Sequence, residues 1–186
     1  MNDTSEPVRV ERRGHTLIVT LNRPEAKNAC NLAMARGVHA AMDRLDEDDD
    51  LFIGIVAGAG GTFCAGADLK ALERGERGVT ERGGFGMFKR PSRKPLIAAV
   101  EGYAVGGGLE LCLCCDLIVA ASNAKLGLPE VRHNVVAVGG GLFRLPRRIP
   151  YHLAMELALT GQLRDAASFH QYGLVNRVCA PGAALD

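Results

Sequence analysis

The sequence predicts a mixed α/β fold with parallel strands, and three observations lead to this prediction. Short apolar runs bounded by turn residues alternate with segments whose apolar residues recur at helical spacing. The run at 51–58 is continuously apolar, which is typical of a strand covered on both faces, and 95–102 is a second candidate for such a strand. Strands and helices follow one another in turn, an order that favours parallel pairing through right-handed crossovers. We expect residues 1–186 to form a single domain with one substantial core.

The chain begins with two predicted strands and a helix. The stretch PVRVERRGHTLIVTLNRP at 7–24 indicates two short strands around a turn at Arg13 and Gly14. Leu32, Ala35, Val38 and Met42 then recur at helical spacing, which predicts a helix over 31–45. The acidic run DEDDD at 46–50 indicates a solvated turn after this helix, and the buried strand at 51–58 follows.

The middle of the chain is rich in glycine. Small residues between 59 and 67 lead into a helix near Asp68, whose carboxylate is suited to the N-cap. From 75 to 93 the composition turns to glycine and arginine, and we expect a mobile surface segment with one short helix. The strand at 95–102 comes next.

The remaining elements continue the alternation. A glycine turn, a helix and the strand LIVAA occupy 102–121, and AKLGLPEVR predicts a short strand with a turn at Pro129. Two helices separated by Pro150, a short helix in RDAASFHQYG and a last strand in LVNRVC follow. The final residues AALD have the composition to begin another helix.

Composition excludes several classes of function. The net charge is +1, aromatic residues make up 5% and Trp is absent, so a nucleic-acid partner is not expected. No apolar stretch reaches the about 20 residues of a bilayer span, and the N-terminus lacks a signal-peptide pattern, so we expect a cytoplasmic protein with no membrane partner. The spacing of the six cysteines completes no zinc site, and we expect small buried thiols in a reducing compartment and no metal.

Two segments share one plan of apolar strand, glycine turn and helix. The turns are AGAGGTFCAGAD at 57–68 and GYAVGGGLE at 102–110. Helix N-termini carry unsatisfied N–H groups and partial positive charge, so two of them directed at one point would bind an oxyanion. Neither turn completes a phosphate-loop or dinucleotide fingerprint, and a lone glycine cluster is more often a turn or a close packing contact.

Four motifs in a fixed order carry a family resemblance. They are NRPEAKNA at 22–29, GTFCAGADLK at 61–70, AAVEGYAVGGGLELCLCCDLIVA at 98–120 and AKLGLPEV at 124–131. Through them nearly the whole chain resembles the crotonase superfamily, which includes enoyl-CoA hydratases. The resemblance implies a crotonase-like (ββα) spiral core and a homo-oligomer, either a trimer or a hexamer. Family members continue with a helical C-terminal segment that covers the acyl site and builds the trimer, and we expect this segment to be missing here.

The resemblance also implies the roles of particular residues. The backbone N–H groups of Ala67 and Gly107 would form an oxyanion hole for a thioester carbonyl, and Glu110 and Glu130 would be the two catalytic carboxylates. Coenzyme A would enter as part of the substrate, with no separate cofactor. The residues that the resemblance implies for coenzyme A binding are Ala26, Lys27, Ala65, Ala67, Asp68, Leu69, Lys70 and Gly107.

The residue types suit this chemistry on physical grounds. Adding water to a double bond beside a thioester places negative charge on the carbonyl oxygen, which two fixed donors can stabilise. Water needs a positioned base, and a carboxylate in an apolar setting has a raised pKa suited to proton transfer. Glu110 heads an apolar helix and Glu130 follows Pro129 in an apolar stretch. Taken singly, each could instead be an ordinary helix-dipole or surface-turn residue.

Other functions remain open from the sequence. An enoyl-CoA isomerase on the same fold can use one carboxylate, and keeping both Glu110 and Glu130 favours hydration. A non-catalytic acyl-CoA-binding module is a further alternative, whereas a nicotinamide dehydrogenase lacks its fingerprint. Asn134 stands where relatives commonly have glycine, and Asn tolerates left-handed backbone. Val138 adds bulk nearby, so the preferred acyl length stays open.

Overall fold

The computed structural model describes residues 6–186 as strands and helices in alternation. The strands are β1 (Val8–Arg13), β2 (Thr16–Leu21), β3 (Ile53–Gly58), β4 (Val79–Thr80), β5 (Gly83–Gly84), β6 (Leu96–Val100), β7 (Tyr103–Val105), β8 (Leu117–Ala121), β9 (Lys125–Gly127), β10 (Arg164–Asp165) and β11 (Arg177–Cys179). The α-helices are α1 (Leu32–Glu47), α2 (Leu69–Glu73), α3 (Gly107–Cys112), α4 (Gly141–Arg144), α5 (Tyr151–Thr160) and α6 (Ala166–Gln171).

The main sheet has six strands in the order β1-β2-β3-β6-β8-β11. β1 and β2 form an antiparallel hairpin, and every other pair in this sheet is parallel. A second sheet of three strands has the order β10-β9-β7, in which β7 and β9 are parallel. This topology confirms the predicted α/β fold with parallel pairing, and it carries the chain from β6 directly into the second sheet.

Helix α1 is stabilised by a capped N-terminus and by one buried face. Asn31 is the N-cap, and its side-chain oxygen accepts a hydrogen bond from the Met34 N–H at 3.0 Å. Met34, Val38 and Met42 are among the buried residues of the face that packs on the first hairpin. The prediction of a helix at this place is confirmed, and the helix extends two residues further than expected.

The glycine- and arginine-rich segment at 75–93 is not the mobile surface segment with a short helix that the sequence predicts. It forms the small β4–β5 hairpin and a loop that buries Phe85, Met87 and Phe88. The Arg82 side chain is only 3% exposed and pairs with Asp43 and Asp46 of α1. The sequence interpretation is wrong because α1, which is distant in the sequence, neutralises the charge of Arg82 and holds the segment in place.

The acidic run at 46–50 is only partly the solvated turn that the sequence predicts, because residues 46–47 belong to α1 and the turn is confined to 48–50. Asp46 lies in the last turn of the helix with a side chain 6% exposed, and it accepts hydrogen bonds from Arg82, Ser92 and the Arg93 N–H.

The last residues, 183–186, form no helix. The Glu101 carboxylate accepts hydrogen bonds from the Gly182 and Ala184 N–H groups instead.

The six cysteines are free, and five of them are buried. Cys179 is half-buried. Burial raises the pKa of each thiol, so they act as small apolar side chains, as predicted. None of the helices between residues 6 and 186 has the length and apolar composition of a membrane span.

Candidate active site

The two glycine turns lie side by side because the strands that lead into them are paired. Cys64 and Ala104 form a parallel bridge, with the Cys64 N–H donating to Tyr103 O at 2.9 Å and the Val105 N–H donating to Cys64 O at 3.1 Å. Ala67 and Gly107 each follow the bridged position by the same number of residues. The equal spacing therefore brings these two residues to the same end of the paired segments.

The turns are also in direct contact. Gly66 has φ +100°, and a side-chain carbon added there would lie 3.5 Å from the Gly107 nitrogen. Within residues 6–186, neither the Ala67 N–H nor the Gly107 N–H donates a hydrogen bond to the backbone or to a side chain. Gly107 is the first residue of α3, where an N–H has no acceptor within the helix. Two free donors thus lie on turns that touch each other.

An aromatic pair covers the second turn. The Phe85 ring packs so closely on Gly107 that any side-chain carbon there would collide with it. Phe85 has φ +54°, a left-handed conformation that is uncommon outside glycine, and its ring stacks on Phe88 at 4.7 Å between centroids. The sequence interpretation missed both rings, since it assigned their segment to the surface.

Glu110 is buried at the start of α3 and is only 4% exposed. Its Oε1 accepts a hydrogen bond from the Gly141 N–H at 2.8 Å. Burial raises the pKa of the Glu110 carboxyl, the Gly141 N–H acts to lower it, and the nearby Glu130 charge raises it further. A carbon on Gly139 would lie 2.5 Å from Glu110 Oε2 and would collide with the Phe88 ring, so the glycine leaves room for both groups.

Glu130 lies against the second glycine turn. It is the first residue of a 3₁₀ helix, Glu130–His133, and a carbon on Gly106 would lie 3.2 Å from its Oε1. Its Oε2 is buried and has no hydrogen-bond partner among the described residues. Burial raises the pKa of this carboxyl as well. Asn134 closes the 3₁₀ helix at φ +55°, which confirms that this asparagine adopts a left-handed backbone conformation.

An apolar cavity of about 350 Å³ opens beside Glu130 and Gly141. Glu130 is its single acidic residue, and the rest of the wall is aliphatic apart from glycine and proline. Val138, which the sequence suggested as added bulk, is 89% exposed and does not line this cavity. The other lining residues are Leu128, Val131, Val135, Val136, Ala137, Leu142, Leu145, Pro146, Ala154, Met155, Ala158 and Leu159.

The segments expected to cradle coenzyme A are joined by backbone hydrogen bonds. The Ala65 N–H donates to Lys27 O at 3.0 Å, and the Asp68 N–H donates to Cys30 O at 3.0 Å. Lys27, Ala67, Leu69 and Lys70 are exposed, and Ala26 and Ala65 are half-buried. These hydrogen bonds bring the segments at 26–30 and 65–70 side by side, whereas Gly107, the remaining expected residue, is buried at the start of α3.

Two polar residues of the segment at 22–28, which the sequence interpretation expected to contact coenzyme A, instead join the backbone segments to each other. Asn28 is fully buried, accepts a hydrogen bond from the Arg23 N–H and donates to Ala59 O and Thr62 O. The Arg23 side chain donates to Asp68 at 2.9 Å. Asp68 also accepts from the Ala71 N–H, which confirms it as the N-cap of α2 and leaves its carboxylate occupied.

Comparisons with known proteins agree with this arrangement. The family model described as enoyl-CoA hydratase/isomerase matches residues 11–185. A Mycobacterium tuberculosis protein named enoyl-CoA hydratase EchA19 is 46% identical over 184 residues, which is 95% of this chain and 69% of that relative. An Aspergillus fumigatus protein named mevalonyl-coenzyme A hydratase sidH is 43% identical over 88% of this chain and 63% of its own length.

Solved structures extend the comparison to the fold. The crystal structure of enoyl-CoA hydratase EchA1 from Mycobacterium marinum matches with a TM-score of 0.96 and 58% identity, covering 98% of this chain and 72% of that one. Fold and site together define a protein of the crotonase superfamily. Within it, the chain belongs to the enoyl-CoA hydratase/isomerase family.

Proposed function

We propose that the protein is an enoyl-CoA hydratase, which adds water across the double bond of a 2-trans-enoyl-CoA to give a 3-hydroxyacyl-CoA. One observation carries this proposal: two free N–H groups lie on adjoining turns, with the buried Glu110 and the half-buried Glu130 next to the second turn. Glu110 lies at the head of the helix that Gly107 begins, and Glu130 lies against Gly106. The names of the relatives, which are hydratases of acyl-CoA thioesters, agree with it.

The oxyanion turns would polarise the thioester. The carbonyl oxygen would accept hydrogen bonds from the Ala67 and Gly107 N–H groups, which are free in the structure. As water adds to C3, electrons move from the C2–C3 double bond toward this oxygen, and fixed donors stabilise that charge without reorganising. Loss of one such donor costs on the order of 10²–10³ in rate.

The different surroundings of the two carboxylates suggest their roles. Glu110 accepts a hydrogen bond from the Gly141 N–H, which favours its ionised form, so we assign it as the base that takes a proton from the attacking water. Glu130 Oε2 is buried without a partner, which favours the protonated form, so we assign it as the acid that supplies the proton to C2. The water oxygen bonds to C3 while Glu110 takes one proton of the water and Glu130 gives its proton to C2, so the substrate gains one water. A proton then has to pass from Glu110 back to Glu130 to restore the starting state.

The remaining parts of the substrate fit the surfaces described. The acyl chain would enter the apolar cavity beside Glu130, and coenzyme A would lie along the segments at 26–27 and 65–70. Coenzyme A is then part of the substrate, and the residues present supply the proton transfers without a separate cofactor. An isomerase of this family needs a single proton shuttle, so the presence of two carboxylates at the turns favours hydration.

A direct test follows the loss of enoyl absorbance on crotonyl-CoA for the wild type and for Glu110→Gln and Glu130→Gln. We expect each variant to lose roughly 10²–10⁴ in kcat, because each removes a positioned proton-transfer group. Glu156→Gln is the matched control, since Glu156 is paired with Arg164 at the surface of α5. Full activity in both site variants would exclude the two-carboxylate mechanism. Stabilisation by thioesters without turnover would indicate a binding module instead.

A further inference from the structure

We propose that Arg144 is a positioning residue for hydration, which braces the glycine turn at 139–141 and the Phe88 carbonyl around Glu110. The inference rests on the proposed function, because it assigns Arg144 a part in the proton transfer by Glu110. Arg144 makes no hydrogen bond to the Glu110 carboxylate. Its effect would be transmitted through the backbone groups it holds.

The two arms of the guanidinium connect two distant parts of the chain. Nη1 donates to Gly139 O at 2.8 Å, and Nη2 donates to Phe88 O at 2.5 Å. Gly139 and the Phe88 ring both lie next to Glu110 Oε2. A carbon added on Gly139 would lie 2.5 Å from Glu110 Oε2 and would collide with the Phe88 ring. A planar guanidinium can satisfy two carbonyls at fixed positions, whereas an ammonium is a single point charge.

The glycine turn is shaped to receive this side chain. Gly140 has φ +111°, and a carbon there would collide with the Arg144 guanidinium and the Phe143 ring. The guanidinium also lies 5.0 Å from the centre of the Phe143 ring. Arg144 is therefore packed over the turn, and the next residue of that turn, Gly141, is the one whose N–H donates to Glu110.

The ionisation of Glu110 depends on this arrangement. The charged or titratable groups around its carboxylate are Glu130 from the 3₁₀ helix, Arg144 from α4 and the Cys114 thiol after α3. Burial raises the pKa of Glu110, and the Gly141 N–H and the Arg144 charge both act against that rise. Removing Arg144 would loosen the donor and remove the positive charge, and both changes disfavour the ionised base.

The experiment compares Arg144→Met, Arg144→Lys and Arg148→Met. Arg148 is the matched control: it donates to a backbone carbonyl, that of Cys115, at 2.8 Å and carries the same charge without holding the glycine turn. Two quantities are measured: the pH profile of kcat with crotonyl-CoA, and the titration of Glu110 by ¹³C NMR of carboxyl-labelled protein, assigned with Glu110→Gln. The titration needs no turnover, so it separates this inference from the proposed function.

For Arg144→Met we expect the acid limb of the kcat profile and the Glu110 titration to move together to higher pH. The fall in kcat at neutral pH should be roughly 10- to 100-fold, the range for losing a hydrogen bond to a charged group. Arg144→Lys should restore only part of this, and Arg148→Met should change neither readout. An unchanged Glu110 titration in folded Arg144→Lys or Arg144→Met would overturn the inference. If only Arg144→Met fails to fold, the Arg144→Lys titration decides.

Discussion

At the scale of the residue, the site is built from groups whose local arrangement works against stability. A carboxylate with 4% exposure, a Phe at φ +54° and a buried carboxylate oxygen without a partner all lie within one small region. Each would be costly in an ordinary core. Their concentration at the two glycine turns is what a site adapted for proton transfer to a bound ligand requires.

Replacing Glu110 by Gln should stabilise the protein at neutral pH while it removes activity. The pKa of Glu110 is raised by burial, so the folded state favours the neutral carboxyl. Its contribution to stability is therefore fully present below the unfolded value near 4.5 and is lost as the pH rises through the folded pKa. Urea unfolding should give similar free energies of unfolding for the wild type and the variant at low pH. At pH 7 the free energy of unfolding should be larger for the variant. Equal stability at both pH values would contradict this.

The glycine at 106 should be required for its position as well as for its backbone conformation. Gly106 has φ +55°, and an added carbon would lie 3.2 Å from Glu130 Oε1. We expect Gly106→Ala to lower kcat by about tenfold or more, because it displaces Glu130 and the Gly107 N–H. Gly14→Ala is the control, since Gly14 has φ +59° and a carbon added there would have no contact within 4 Å among the described residues. Gly14→Ala should lose about 1 kcal/mol of stability, and Gly106→Ala should lose more, because its ψ of −124° lies outside the left-handed helical region. Equal kcat values would contradict the expected displacement of Glu130.

At the scale of the element, the loop after the β4–β5 hairpin forms the wall behind the oxyanion turn. This loop carries Phe85 and Phe88, and Arg82 attaches it to α1 through hydrogen bonds of 2.7 Å to Asp43 and 2.6 Å to Asp46. Arg82 also donates to the carbonyls of Arg90 and Pro91. The ion pairs thus close the segment into a loop that presents its aromatic rings to the site.

Arg82→Met should destabilise the protein far more than removal of a surface ion pair. It leaves Asp46, which is 6% exposed, as a buried charge without Arg82, a change that costs about 3–5 kcal/mol. Arg13→Met breaks an exposed pair with Glu11 and should leave stability nearly unchanged. Urea unfolding of both variants measures the difference. Comparable small losses would show that the Arg82 pairs do not hold the loop.

The sequence could predict the elements that depend on local pattern. The helix after Asn31, the Asp68 cap and the strands of the main sheet follow from periodicity, capping and apolar runs. The segment at 75–93 could not be predicted, because its order depends on Arg82 meeting two aspartates about 40 residues away in the chain. Only the contacts in the folded chain reveal that pairing.

The candidate site divides in the same way. Glu110, Glu130 and the two turns follow from motifs, whereas the roles of Gly141 and Asn28 depend on contacts across 31 to 34 residues. The run GGGLFRLPRR contains Gly141 and Arg144, but no local signal in it points to Glu110. Partners of this kind are specified by tertiary structure rather than by spacing.

At the scale of the whole molecule, two sheets and several loops bring together the two turns at which we propose that one thioester carbonyl binds. The parallel bridge between Cys64 and Ala104 sets the turns in register, and the glycine turn of α4 is brought to Glu110. We propose that coenzyme A lies along the segments at 26–27 and 65–70 and that the acyl chain enters the apolar cavity beside Glu130. We therefore expect the tightest binding when the ligand carries both the thioester and the nucleotide portion.

A saturated thioester should stabilise the protein more than its fragments do. Butyryl-CoA cannot be hydrated, so its effect on thermal unfolding reports binding alone, and 100-fold excess over Kd should give about 2.7 kcal/mol. Free coenzyme A should stabilise less because it lacks the carbonyl, and butyrate alone should have little effect. Equal stabilisation by free coenzyme A and butyryl-CoA would show that the carbonyl makes no favourable contact.

The central claim is that the Ala67 and Gly107 N–H groups meet on one carbonyl oxygen, and isotope-edited infrared spectroscopy tests it most directly. The measurement is the stretching frequency of a ¹³C-labelled thioester carbonyl in bound enoyl-CoA, compared with the same thioester in water. Two donors at an oxyanion hole polarise the bond, so we predict a clear shift to lower frequency that is reduced in Gly106→Ala. A bound thioester whose carbonyl frequency equals that in water would contradict the account.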